Sequence, residues 1–147
     1  MARAERLSLL AKAPAARLAA LWAACGLEAE AGAWRWLRPP ETGAVMVRGR
    51  AGGTGEPFNL GEMTATRCTL RLAGGEIGHG WTAGRDKTKA RTVALCDALA
   101  ETPAAEALEA AVLAPLRAEA EAADEARAAR AAATKVEFFT LVRGESV

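Results

Sequence analysis

The sequence predicts an α+β fold: a mainly antiparallel sheet of about four strands, flanked by an N-terminal helical pair and by C-terminal helices. Three observations predict it. Apolar residues recur at helical spacing up to Gly26. Alternating runs punctuated by Gly and Pro fill the middle. From Asp86 onward, alanine and charge return to helical spacing. The 147 residues suit a single domain, 1–147. A chain of this length buries about 70% of its unfolded surface without needing disulfides or a metal.

The elements follow in order. Leu7, Leu10 and Ala11 form a short stripe that Pro14 interrupts, since proline lacks an amide proton and suits the first turn of a new helix. Leu18, Leu21, Trp22 and Cys25 mark one face of a second helix, and Gly26 ends it. Four strand-like runs come next: Ala33 to Arg38, Ala44 to Ala51, Phe58 to Leu72 with a bulge or break at Gly61-Glu62, and Ile77 to Ala83. Gly74-Gly75 reads as a two-residue hairpin turn, which sets Leu72 opposite Ile77, Leu70 opposite His79 and Cys68 opposite Trp81. One face of that hairpin is apolar apart from His79. The other carries Gly78, Gly80 and Thr82, inviting the close approach of a helix of this chain, of another chain or of a ligand. Asp86 caps a helix from Lys87 to about Glu101. Helix resumes near Ala105 with a kink or restart at Pro115, and continues to Ala133 as an alanine-and-charge segment that protrudes or packs on a partner. An apolar tail closes the chain, with Phe138, Phe139, Leu141, Val142 and Arg143 as candidate interface residues, docked on its own sheet or on another subunit.

Composition narrows the function classes. Nineteen basic residues against 18 acidic ones give net +1, so the bulk charge makes no case for nucleic acid or an anionic membrane. Three cysteines without CxxC spacing argue against a disulfide framework and a zinc site, and suit a reducing, cytoplasmic compartment. No run is long and apolar enough to span a membrane. With three Phe, four Trp and no Tyr, the core is expected to be thin and completed by partners.

No catalytic residue is identified, no nucleophile–base pairing is visible, and no metal-ligand spacing occurs. His79, the single histidine, reads as a packed residue on an apolar strand face. Two segments are candidates for holding an anion. Gly53, Thr54 and Gly55 offer backbone amides in a loop that is equally well explained as a bend. Arg85 and Lys87 flank a helix N-terminus, where free amides and the positive dipole end meet, or else serve as solvated bases or partner salt bridges. Glu56 and Glu62 are the acids nearest the glycine loop.

Several motifs in this order resemble the PhnG family: Glu41-Thr42-Gly43, Gly52-Gly53-Thr54-Gly55-Glu56-Pro57-Phe58, Thr66-Arg67-Cys68-Thr69-Leu70-Arg71-Leu72, Gly78-His79-Gly80-Trp81-Thr82-Ala83-Gly84-Arg85-Asp86-Lys87, Asp97-Ala98-Leu99 and Thr134 through Gly144. The resemblance covers nearly the whole chain. It implies a subunit of the carbon–phosphorus lyase core complex, assembled with PhnH, PhnI and PhnJ in two copies each. It implies that the complex displaces adenine from ATP with an alkylphosphonate to give ribose 1-phosphonate 5-triphosphate. In the family that chemistry is attributed to PhnI with PhnG alongside, and the later radical cleavage to PhnJ and its iron–sulfur cluster. ATP is then a substrate of the assembly, and this chain alone binds no cofactor. Its cysteines supply no cluster ligands. Family members often carry an aromatic residue where this chain has His79, which weakens a catalytic role there.

An assembly subunit is the leading expectation, motivated by the thin core, the glycine face and the apolar tail. A direct contribution of Arg85 and Lys87 to the nucleotide or phosphonate site is the second. An autonomous nucleotide-binding protein is the third. In isolation the chain is expected to self-associate through surfaces meant for partners, as a homodimer or by exchange of its terminal element.

Overall fold

A computed structural model describes residues 1–135. The tail residues Phe138, Phe139, Leu141, Val142 and Arg143 lie outside the described residues. The order is α1 (Arg3–Lys12), α2 (Ala15–Cys25), the short α3 (Glu28–Ala31), β1 (Trp34–Arg50), β2 (Pro57–Leu72), β3 (Ile77–Ala83), α4 (Lys87–Leu99), α5 (Ala105–Leu108) and α6 (Ala114–Ala133). The class is α+β, with an antiparallel sheet in the order β1-β2-β3.

The sheet has three strands, where the sequence suggested about four. Pro39-Pro40 does not separate two strands. β1 runs through it as an edge strand, where a proline sacrifices no ladder donor. The register slips at Trp36/Arg38 and Arg38/Glu41, so β1 carries the extra residues as bulges. The irregularity expected at Gly61-Glu62 is a bulge one residue earlier: Val47 faces Gly61 while Arg48 faces Asn59, leaving Leu60 unpaired.

The β2–β3 hairpin corrects a second expectation. Leu72 N–H donates to the Glu76 carbonyl (2.9 Å) and Gly75 N–H to the Leu72 carbonyl (3.0 Å), so the loop is Ala73, Gly74 and Gly75, with Gly75 at φ +107°. A loop one residue longer than predicted shifts the pairing by one. Leu70 faces Gly78, Cys68 faces Gly80, and Arg67 faces Trp81. Such a slip exchanges the two faces of a strand. Leu70, Leu72 and Cys68 therefore share the buried face with Gly78, Gly80 and Thr82. His79 and Trp81 are exposed on the other face, so His79 is not a packed core residue.

The glycine face is filled by α4. A Cβ on Gly78 would stand 1.8 Å from the Ala94 carbonyl oxygen, and one on Gly80 2.0 Å from that of Ala90. This face is closed to partners and ligands, which removes one motive for the assembly reading. α4 starts at Asp86, whose Oδ1 accepts from Lys89 N–H at 2.8 Å. From Thr92 to Leu99 every residue is buried, because the sheet lies on one side and α1, α2 and the α5 region on the other. A π-helical turn, Glu109–Leu113, joins α5 to α6. Pro115 just beyond it cannot donate and crowds the carbonyl four residues back, which a wider turn relieves.

One ionic cluster ties three elements together. Asp97 is 0% exposed. Its carboxylate accepts from Arg3 Nη2 (2.6 Å), Arg6 Nη2 (3.0 Å) and the His79 backbone N–H (2.9 Å). Arg6 also reaches Glu101 at 2.7 Å. α1, β3 and α4 are thereby locked in one register.

Two stability measurements check this packing. Gly78→Ala should destabilise by about 3 kcal/mol or more, since backbone must move, whereas Gly43→Ala, with nothing within 4 Å of its added Cβ, should stay within about 0.5 kcal/mol in urea titrations. Asp97→Ala strands a buried arginine and should cost about 3–5 kcal/mol in the same assay.

Candidate functional site

Among the described residues the sheet is covered on one face only. The face opposite α4 carries Arg35, Arg67, Arg71, Thr69, His79 and Trp81, with Glu41 as its acid. Arg35 lies directly opposite Arg71, a like-charge pairing that disfavours the sheet unless something anionic meets it. Arg71 Nε is buried without a hydrogen-bond partner among the described residues. Glu41 accepts from Arg67 Nε (2.6 Å) and Arg38 Nη1 (2.8 Å). These contacts, Arg67 first and then Arg38, hold its carboxyl below the usual range. A shallow cavity of about 310 Å³ lies here, lined by Glu41, Thr42, Gly43, Val45, Arg67 and Trp81 among others.

Chemically, this face can hold anions and apolar groups, and among the described residues it shows no catalytic constellation. His79 Nδ1 lies 3.2 Å from Thr69 Oγ1 and has no carboxylate to orient it among the described residues. Burial pushes the Cys68 thiol up to about 11 and raises that of Cys96 further, so neither is a ready nucleophile. Cys25 is half-buried and donates to the Trp22 carbonyl. Among the described residues, no His, Cys, Asp or Glu cluster is arranged to hold a metal ion.

Arg85 and Lys87 are exposed on either side of the Asp86 cap, as the sequence placed them. Gly53, Thr54 and Gly55 sit elsewhere, at the far tip of the β1–β2 connection. Gly84 N–H pairs with the Thr64 carbonyl, and β2 runs on from there to Pro57. At about 3.3 Å per strand residue that separates the two candidates by roughly 20 Å. The structure therefore does not unite them in one site. The glycine loop has a structural task of its own: Gly52 and Gly53 adopt φ +60° and +82°, Gly55 N–H donates to the Ala51 carbonyl, and Arg50 donates to the Gly55 carbonyl.

Sequence reasoning missed the most conspicuous surface. β3 pairs with β2 only over Ala65–Arg71. Beyond it, Ala44–Arg50 and Pro57–Thr64 continue as a two-stranded ribbon with no third strand and no buried residue. Its apolar side chains face water: Leu60 is 66% exposed, Met46 51% and Phe58 46%. A ribbon of two strands is marginal in water by itself. The available signal was the pair of long β-rich runs flanking the glycine turn, which together outreach β3. α6 is a second projection, exposed from Ala118 to its end. It is anchored at its base by Leu116 and by the Arg17–Glu119 ion pair.

Two comparisons with known proteins bear on these surfaces. A family model described as phosphonate metabolism protein PhnG matches residues 1–144. A protein of Rhizobium meliloti (strain 1021), named alpha-D-ribose 1-methylphosphonate 5-triphosphate synthase subunit PhnG, is 46% identical over 143 residues, spanning 97% of this chain and 90% of the relative.

The electrostatics of the open face can be checked by NMR titration. Glu41 should titrate below the ordinary glutamate value, and Arg67→Ala should move its midpoint back up. Because the folded value is depressed, the stabilisation from Glu41 is present above its ordinary pKa and is lost as pH falls through the folded one.

Proposed function

This chain belongs to the PhnG family, and from that premise we propose that it is a supporting subunit of an alpha-D-ribose 1-methylphosphonate 5-triphosphate synthase in phosphonate catabolism. The observation that carries this reading is the uncovered β1–β2 ribbon, whose apolar side chains have no partner within the described residues. A chain that folds a complete α4-centred core and still exposes such a ribbon is built to be covered by another protein.

The partners in this reading are subunits of the PhnI, PhnH and PhnJ type in a cytoplasmic complex. ATP and an alkylphosphonate are the substrates of the assembly, and neither requires a cofactor held by this chain. No single helix among the described residues is long and apolar enough to cross a membrane. A second reading, in which Arg85 and Lys87 contribute charge to the nucleotide or phosphonate site, is favoured by their exposure at the start of α4.

Co-expression with the three partner types tests both. Leu60→Asp combined with Phe58→Asp should abolish co-purification while leaving the helical circular dichroism of the isolated chain unchanged. Unchanged co-purification would remove the ribbon from the interface. Arg85→Ala should leave the complex intact. If it touches ATP, it should raise the KM by about 10-fold or more, and an unchanged KM would eliminate the second reading.

A further inference from the structure

The backbone of β3 has two edges, and hydrogen bonds identify which groups point outward. Leu72 N–H pairs with Glu76 and Gly84 N–H with Thr64, so the even-numbered residues of β3 face β2. The odd-numbered residues therefore turn their N–H and C=O groups to the outside. Near the start of the strand these groups are taken: Arg3 donates to the Ile77 carbonyl at 2.9 Å, and the His79 N–H donates to Asp97. Further along they are not. The His79 carbonyl, both groups of Trp81 and the Ala83 N–H have no partner among the described residues. An edge left open in this way is a template for another strand.

The open half also borders a groove. A cavity of about 550 Å³ lies between α1 and the β3 edge, lined by Leu7, Ala11, Lys12, Trp81, Ala83 and Lys89 among others. Its walls are mainly apolar, its charged side chains are both lysines, and Arg85 and Lys87 follow directly after β3. Pairing with the β3 edge of a second copy would bring these cations and His79 against their equals, a repulsive arrangement.

We propose that the outer edge of β3 from His79 to Ala83 accepts, by strand addition, an extended segment of a partner subunit that is apolar at alternate positions and carries acidic residues at its flanks. The proposal rests on the subunit reading above and names a contact that reading leaves open. The segment's backbone completes the four open groups, its apolar side chains enter the groove beside Leu7 and Ala11, and its acids meet Lys12 and Lys87.

Residue-resolved amide exchange tests it on the isolated chain and on the assembled complex. In the isolated chain, the Gly80 and Thr82 amides, which donate to β2, are slow, while those of Trp81 and Ala83 exchange rapidly at all concentrations. In the complex, Trp81 and Ala83 should slow by about 100-fold or more. Protection already present in the isolated chain would mean its own residues fill the edge, and protection that rises with concentration would mean a second copy does. Either overturns the proposal. So does an assembled complex in which both amides stay fast, an outcome that leaves the subunit reading standing. Failure of the chain to co-elute with any partner overturns the subunit reading and the proposal together. Ala83→Pro removes an outward donor without touching the β2 ladder, and should weaken assembly by about 10-fold. Unchanged affinity for this variant overturns the proposal.

Discussion

β3 and α4 touch backbone to backbone, and that closeness depends on two absent side chains. At Gly78 and Gly80 a Cβ would collide with the carbonyls of Ala94 and Ala90. The small residues Ala90, Ala94 and Ala98 on the facing helix complete the fit. Once α4 is seated this way, it is buried almost all round, and α1, α2 and the segment through Leu113 gather behind it. Asp97 then comes within reach of Arg3, Arg6 and the β3 edge at one time. Among the described residues, the same seating leaves the other sheet face without a covering layer, and that face is basic. The asymmetry of the molecule follows from the contact: one side is sealed by its own helix, and the other is offered outward.

The sequence made the elements legible where local chemistry decides them. Asp86, Gly26 and Pro14 mark helix boundaries through caps, left-handed backbone and a missing donor, and each acts where expected. It failed where a choice turned on one residue or on distance. Gly74-Gly75 satisfies the preferences of a two-residue turn, yet Ala73 joins the loop and Gly75 takes the left-handed position, so His79 and Trp81 emerge on the opposite face. Pro39-Pro40 resembles a break because proline interrupts interior strands, but β1 is an edge strand and tolerates it. The Arg3–Asp97 bridge joins residues 94 apart, and no local pattern announces such a pair.

The candidate sites divide similarly. Arg85 and Lys87 were readable because a helix start after a strand end is a local signal. The separation of the glycine loop from them was not, since it depends on how far the ribbon extends past β3. The ribbon itself escaped notice because β-rich alternation suggests a covered strand, and whether anything covers it is a tertiary fact. Together the ribbon, the basic face and the open edge give the described residues several surfaces that another protein can complete. That distribution agrees with membership of a family whose matched relative is named as a subunit.

α6 adds a mechanical property. Its outer stretch is alanine and charge, a composition that stays helical with little tertiary support. From Ala118 to Ala133 it spans about 23 Å at 1.5 Å per residue. It behaves as a stiff ruler that holds Thr134 at a fixed distance and angle from the body. Loss of a single alanine from the shaft would shorten the ruler by only about 1.5 Å, yet it would swing Thr134 by about 100° around the axis. Its phase is therefore a tighter constraint on the chain than its length.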